Sequence, residues 1–214
     1  MTTYTRRGDP MTPPDVPIDQ PTLLEIFTSG ELSGATRHYE KVVGDMQGVY
    51  LDEQAWRDAV SNGETSLVYS VDEQRYQDGP GALIVGTSTV LPGSYGDEFA
   101  VTRGHLHATS DRAELYYCLS GRGVMLLDTV EGGTEAVELT PGKAVNVPGQ
   151  WVHRSVNVGD EPFVTLFCYA ADAGQNYAII AEAGGMKTLV VADAQSGWTT
   201  IPNPRHRGYR REQS

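Results

Sequence analysis

From Ser66 onward the chain alternates apolar and polar residues in short runs, the period-two mark of half-buried strands. The runs predict strands over Ser66–Val71, Ala82–Leu91, Glu98–Arg103, Ala113–Leu119, Val124–Thr129, Glu135–Leu139, Ala144–Val147, Ser155–Val158 and Phe163–Tyr169. Turn signals separate them at Pro92-Gly93, Ser120-Gly121, Gly132-Gly133, Pro141-Gly142 and Gly159-Asp160. Lys187–Ala192 and Trp198–Ile201 read as a last hairpin on the outside. Many short strands at this rhythm predict an all-β fold, a closed or double-sheeted barrel of the jelly-roll kind.

One short helix is expected, over Asp52–Val60. Asp52 can cap it, Glu53 suits its first turn, Leu51 and Trp56 fit a hydrophobic staple, and Ser61-Asn62-Gly63 should stop it. Residues 21–50 mix short apolar clusters with Gly30, Gly34, Gly44 and Gly48, and read as irregular or strand-like N-terminal arms. Met1–Gln20 carries four prolines and scattered charges without an apolar core, so it reads as a disordered leader and not a secretory signal. Arg205, Arg207, Arg210 and Arg211 mark a basic tail, read as a solvated, frayed end. The expected organisation is a leader over 1–20, a single domain over 21–204 and a tail over 205–214, with no solenoid-type repeat.

Composition narrows the picture. With 214 residues the chain can bury one core and is short for two full domains; 24 glycines and 12 prolines favour strands and turns over long helices. A formal charge of −12 argues against nucleic acid as a partner. It also opposes an anionic substrate unless local donors override the field. No apolar run approaches the ~18–20 residues of a membrane span. Cys118 and Cys168 fall in apolar strand-like stretches and read as small buried residues without a disulfide, which favours a reducing, cytoplasmic compartment.

The candidate chemistry lies in four residues. His105 and His107 project from one face of an extended segment, Glu114 follows seven positions later, and His153 comes from far downstream. Three imidazoles and a carboxylate suit a first-row divalent metal and leave positions open to substrate. A lone histidine in a strand is more often a half-buried polar residue, and His38 and His206 read as such bystanders. Tyr116 shares the face of Glu114 by period two.

These residues resemble the two motif blocks of the cupin superfamily. His105, His107, Glu114 and Gly121 match the first block, with a longer gap before the glutamate than is common. Gly142, Pro148, His153 and Asn157 match the second, with Gln150 where the general motif has glycine. The longer gap is similar to the cupin-type, archaeal-type metal-dependent glucose-6-phosphate isomerases. Thr102-Arg103-Gly104-His105-Leu106-His107, Asp111-Arg112-Ala113-Glu114-Leu115-Tyr116 and Trp151-Val152-His153-Arg154-Ser155-Val156-Asn157 carry that likeness, which runs from about Gly34 to Pro204.

The resemblance implies a cupin barrel, a homodimer through the arms, and interconversion of glucose 6-phosphate and fructose 6-phosphate. It implies one divalent metal ion (iron, manganese, nickel or zinc) on His105, His107, Glu114 and His153. Glu114 would move a proton between C1 and C2 through an enediolate, with a hydride shift as the competing route. Ser88, Thr102, the Gly104 amide and Tyr116 would anchor the phosphate, and Tyr169, which corresponds to a pocket tyrosine, would join Glu114 as a catalytic residue. The chain departs from the family at two pocket positions: Gln175 stands where a histidine is expected, and Gln150 where a tyrosine is usual. Glutamine can bond sugar hydroxyls but cannot titrate near neutral pH. Rival readings are a related sugar-phosphate isomerase or epimerase with an altered pocket, a non-haem iron dioxygenase, and a non-catalytic sugar- or metal-binding cupin.

Overall fold

A computed structural model describes residues 20–79 and 81–210. The expected leader therefore lies, except for Gln20, outside the described residues. The strands in chain order are β1 (Arg37–Val42), β2 (Leu67–Arg75), β3 (Leu83–Val90), β4 (Ser94–Tyr95), β5 (Glu98–Phe99), β6 (Glu114–Ser120) and β7 (Gly123–Thr129). They continue as β8 (Thr134–Leu139), β9 (Ala144–Val147), β10 (Trp151–Asn157), β11 (Phe163–Ala170), β12 (Thr188–Asp193) and β13 (Gly197–Pro202).

One sheet has the order β1-β2-β3-β11-β6-β9 and a second β10-β7-β8, every ladder antiparallel. Sequence-distant strands are neighbours here, β3 with β11 and β10 with β7, so the chain passes repeatedly between the two sheets. That is the double-sheet jelly roll of the cupins. Alternating inward residues such as Val90, Met125, Val152, Val156 and Phe163 are almost wholly buried between the sheets. A third sheet, β13-β12-β5-β4, contains the expected final hairpin.

Local chemistry explains where elements differ from expectation. Helix α1 (Glu53–Gly63) starts as read, Asp52 Oδ1 accepting from the Ala55 N–H at 2.9 Å, but runs through Ser61-Asn62-Gly63. Ser61 Oγ donates to the Arg57 carbonyl one turn back, so the hydroxyl joins the helix instead of ending it. The arms contain β1, an edge strand paired with β2. The short helix α2 (Ala178–Ala183), not expected from sequence, ends on Gly184 at φ 79°.

The basic tail is also ordered as far as it is described. Arg205 reaches the Tyr50 carbonyl, and Tyr209 donates to Asp128 Oδ2 at 2.5 Å, so the expectation of a frayed end is corrected for 205–210. Both cysteines are free, Cys118 buried and Cys168 half-buried. Among the described residues no helix is long and apolar enough to cross a membrane.

Candidate active site

Three different elements bring the four ligands together. Glu114 opens β6 and His153 lies inside β10. The segment expected as a strand over Glu98–Arg103 is a ladder only at β5; beyond it the chain runs along β10 through isolated bridges at Val101–Val156 and His105–His153. Between the bridges, Thr102 accepts the Ser155 N–H on its hydroxyl and Gly104 takes φ +71°. A Cβ on Gly104 would lie 2.8 Å from the His153 carbonyl oxygen, so this approach of His105 to His153 requires glycine. His105 then exchanges both backbone hydrogen bonds with His153, at 3.0 and 2.9 Å.

The ligand atoms of His105, His107, Glu114 and His153 lie within 4.8 Å of one another. All three imidazoles face the same oxygen: Glu114 Oε2 is 3.7 Å from His105 Nε2, 3.1 Å from His107 Nε2 and 3.0 Å from His153 Nε2. The far sides of two rings are already committed. His107 Nδ1 bonds the Arg112 carbonyl at 2.8 Å and His153 Nδ1 the Trp151 carbonyl at 3.0 Å. A carbonyl can only accept, so each Nδ1 carries a proton and Nε2 is the atom each ring turns toward the carboxylate. A nitrogen this close to an oxyanion needs a cation between them, a proton or a metal ion. His105 Nε2 is buried without a hydrogen-bond partner. The donor set therefore fits a divalent metal.

The long gap between His107 and Glu114 has a purpose in this arrangement. It holds Arg112, whose carbonyl orients His107 while its guanidinium grips Asp172 through two bonds of 2.9 and 2.8 Å.

Electrostatics agree with metal ligation. Burial alone would raise the Glu114 carboxyl, but the three imidazoles facing it outweigh burial and hold the group well below the usual carboxylate range. Burial, aided by His153, lowers His105 to about 4, so it is neutral at physiological pH. Burial also opposes charging of His107, yet the Glu114 hydrogen bond prevails and raises it.

A cavity enclosing about 490 Å³, part of it open to solvent, lies beside this cluster. Of the residues expected at a substrate site, Ser88, Thr102, Gly104, Tyr116, Tyr169 and Gln175 line it. Ser88 Oγ is buried without a partner, a free donor at the wall. Burial, then the Glu114 carboxylate, keeps the Tyr116 phenol protonated.

Gln150 does not join them, and its expected place in the pocket is corrected. It sits at φ 70° in a tight turn before β10, exposed, its N–H on the Ser110 carbonyl at 2.5 Å. His38 and His206 lie outside the cluster, bonded to Asp72 and to the Gly185 carbonyl. Sequence reasoning missed Tyr39, Tyr69, Glu73 and Tyr177 in the wall. The signal for two of them was present: period two from Tyr69 through Val71 reaches Glu73, once β2 is allowed to run to Arg75.

Comparison with known proteins agrees with this geometry. The family model described as Glucose-6-phosphate isomerase (GPI) matches residues 40–207, well over half of the chain. A glucose-6-phosphate isomerase of Sinorhizobium medicae is 46% identical over 175 residues, 82% of each chain. That of Pyrococcus furiosus is 41% identical over 179 residues, 84% of this chain and 93% of its own. A solved oxalate oxidase aligns over 50% of this chain and 54% of its own at 15% identity and a TM-score of 0.42; the barrel assignment rests on strand order and not on that likeness. With the four ligands and most of the pocket inside the matched span, the chain belongs to the glucose-6-phosphate isomerase family.

Proposed function

We propose that the protein interconverts glucose 6-phosphate and fructose 6-phosphate, using one divalent metal ion (iron, manganese, nickel or zinc) on His105, His107, Glu114 and His153. The observation that carries this reading is the convergence of three imidazoles on Glu114 Oε2 at the wall of a polar cavity. Such an ion, when bound, supplies a Lewis acid that acidifies the carbon next to the carbonyl.

The chain's own residues do the rest. Glu114, held ionised, takes the proton from C2 of the open-chain aldose, the electron pair forms the enediolate, and the proton returns at C1. The Ser88 hydroxyl, the Thr102 hydroxyl and the Gly104 amide supply donors for the phosphate, which a chain of charge −12 needs locally. Tyr116 stays protonated and offers a further donor. Tyr169 and Gln175 face the sugar hydroxyls.

The protein acts as a homodimer through its N-terminal arms. Supporting this, Leu23, Phe27, Tyr76 and Leu83 expose apolar surface, and β1 is a sheet edge. Two free thiols support a cytoplasmic location.

The test is a coupled assay of fructose 6-phosphate turnover. Activity should vanish with chelator and return on adding one of the four metals. Turnover insensitive to exhaustive chelation, or none with any metal, sinks the reading.

A further inference from the structure

Glu73 is an acidic residue of the cavity wall that the reaction above leaves unused. It is 5% exposed, and its two oxygens have separate partners. Oε2 accepts from Arg37, which approaches from an outer surface and is itself 63% exposed, at 3.3 Å. Oε1 accepts from the Tyr169 hydroxyl at 3.3 Å. Gln175 Nε2 meets the same hydroxyl at 3.1 Å, and Gln175 Oε1 accepts from Tyr177 at 3.2 Å.

The direction of this network follows from donor counting. An ionised carboxylate only accepts, so Tyr169 must give its single proton to Glu73. Gln175 must then present its N–H to Tyr169, which leaves its oxygen for Tyr177. A phenol oxygen has two lone pairs, and Gln175 occupies one. Toward the cavity Tyr169 thus retains one acceptor site and no donor.

The position of Tyr169 gives this consequence. Its ring lies 5.6 Å from that of His107, and on β11 it pairs with Glu114 on β6. It therefore borders the end of the cavity where the metal ligands gather. Ser88, the unpartnered donor, lies elsewhere in the wall, in register with Val71 on β2 and Thr165 on β11.

We propose that Glu73 is a positioning residue that sets substrate specificity: by fixing Tyr169 as a hydrogen-bond acceptor, it makes the metal end of the cavity accept sugar hydroxyls and refuse a second phosphate. The inference rests on the isomerase reading for which end of the sugar lies at the metal. Gln175 completes the lock without any need to titrate.

The experiment uses the full-length, metal-loaded protein. Fructose 1,6-bisphosphate, which must put a phosphate at the metal end in either orientation, is tested as a competitor of fructose 6-phosphate and titrated by calorimetry. In E73Q, and in E73A as a second variant, bisphosphate binding should tighten at least tenfold while KM for fructose 6-phosphate moves less than threefold. E73D should restore exclusion.

Adding Y169F to E73Q should remove the gain, since no hydroxyl remains to turn toward phosphate. Unchanged bisphosphate binding overturns the proposal, as does a gain fully retained in the double variant, which would assign the effect to charge alone. Absent wild-type turnover would instead defeat the isomerase reading, and the calorimetric comparison is independent of it.

Discussion

Individual residues in this protein are placed by what their unused atoms can bond. His107 and His153 each give their Nδ1 proton to a backbone carbonyl, which leaves both Nε2 atoms and one unpartnered imidazole around a single carboxylate oxygen. Glu114→Gln keeps the volume but replaces an anion with a neutral amide. Turnover should fall by about 10²–10⁴-fold, the usual scale for losing a general base, with reduced bound metal and an intact melting transition. Steady-state kinetics and metal analysis check this, and full turnover in the variant would remove Glu114 from its role. The four ligands were legible in the sequence because spacing and residue type suffice to nominate them. Gln150 lies exposed outside the cavity, in a turn at φ 70°, and residue type carries no sign of that.

Elements were legible in proportion to their local signal. Helix α1 begins at a cap that can be read directly, Asp52 Oδ1 to the Ala55 N–H. Asp52→Ala should cost about 1 kcal/mol, lowering the melting temperature by about 2–4 °C in a chain of this size without changing metal content. Thermal denaturation followed by circular dichroism measures it; an unchanged midpoint would mean the cap contributes nothing. Strand β2 was read four residues short because Asp72-Glu73-Gln74-Arg75 is polar throughout, yet Glu73 and Gln74 are both buried. Polarity conceals a strand whose Glu73 is buried against Arg37 and Tyr169. Helix α2, at six residues, is too short to show a 3.6-residue period.

At the scale of the whole molecule, two sheets bury one core and a third sheet carries the final hairpin. The tail from Arg205 to Tyr209 is tied to Tyr50 and Asp128, so a stretch with two arginines serves as a strap. The exposed Phe27 and Leu83 belong to the surface proposed for a second copy of the chain. Light scattering should give twice the chain mass, and Leu83→Asp should shift the population toward monomer. A monomeric wild-type protein at micromolar concentration would refute the dimer.

By itself the sequence determined the barrel class, the cap of the helix and the four residues that cluster as candidate metal ligands, since each depends on periodicity or on residue types at fixed separations. Only the tertiary structure decided which walls meet at the cavity. Glu73, Gln175 and Tyr177 are brought to Tyr169 by pairing between distant strands and by the loop after β11. Whether a hydroxyl gives or receives a proton depends on those neighbours, and no local pattern in the chain encodes it.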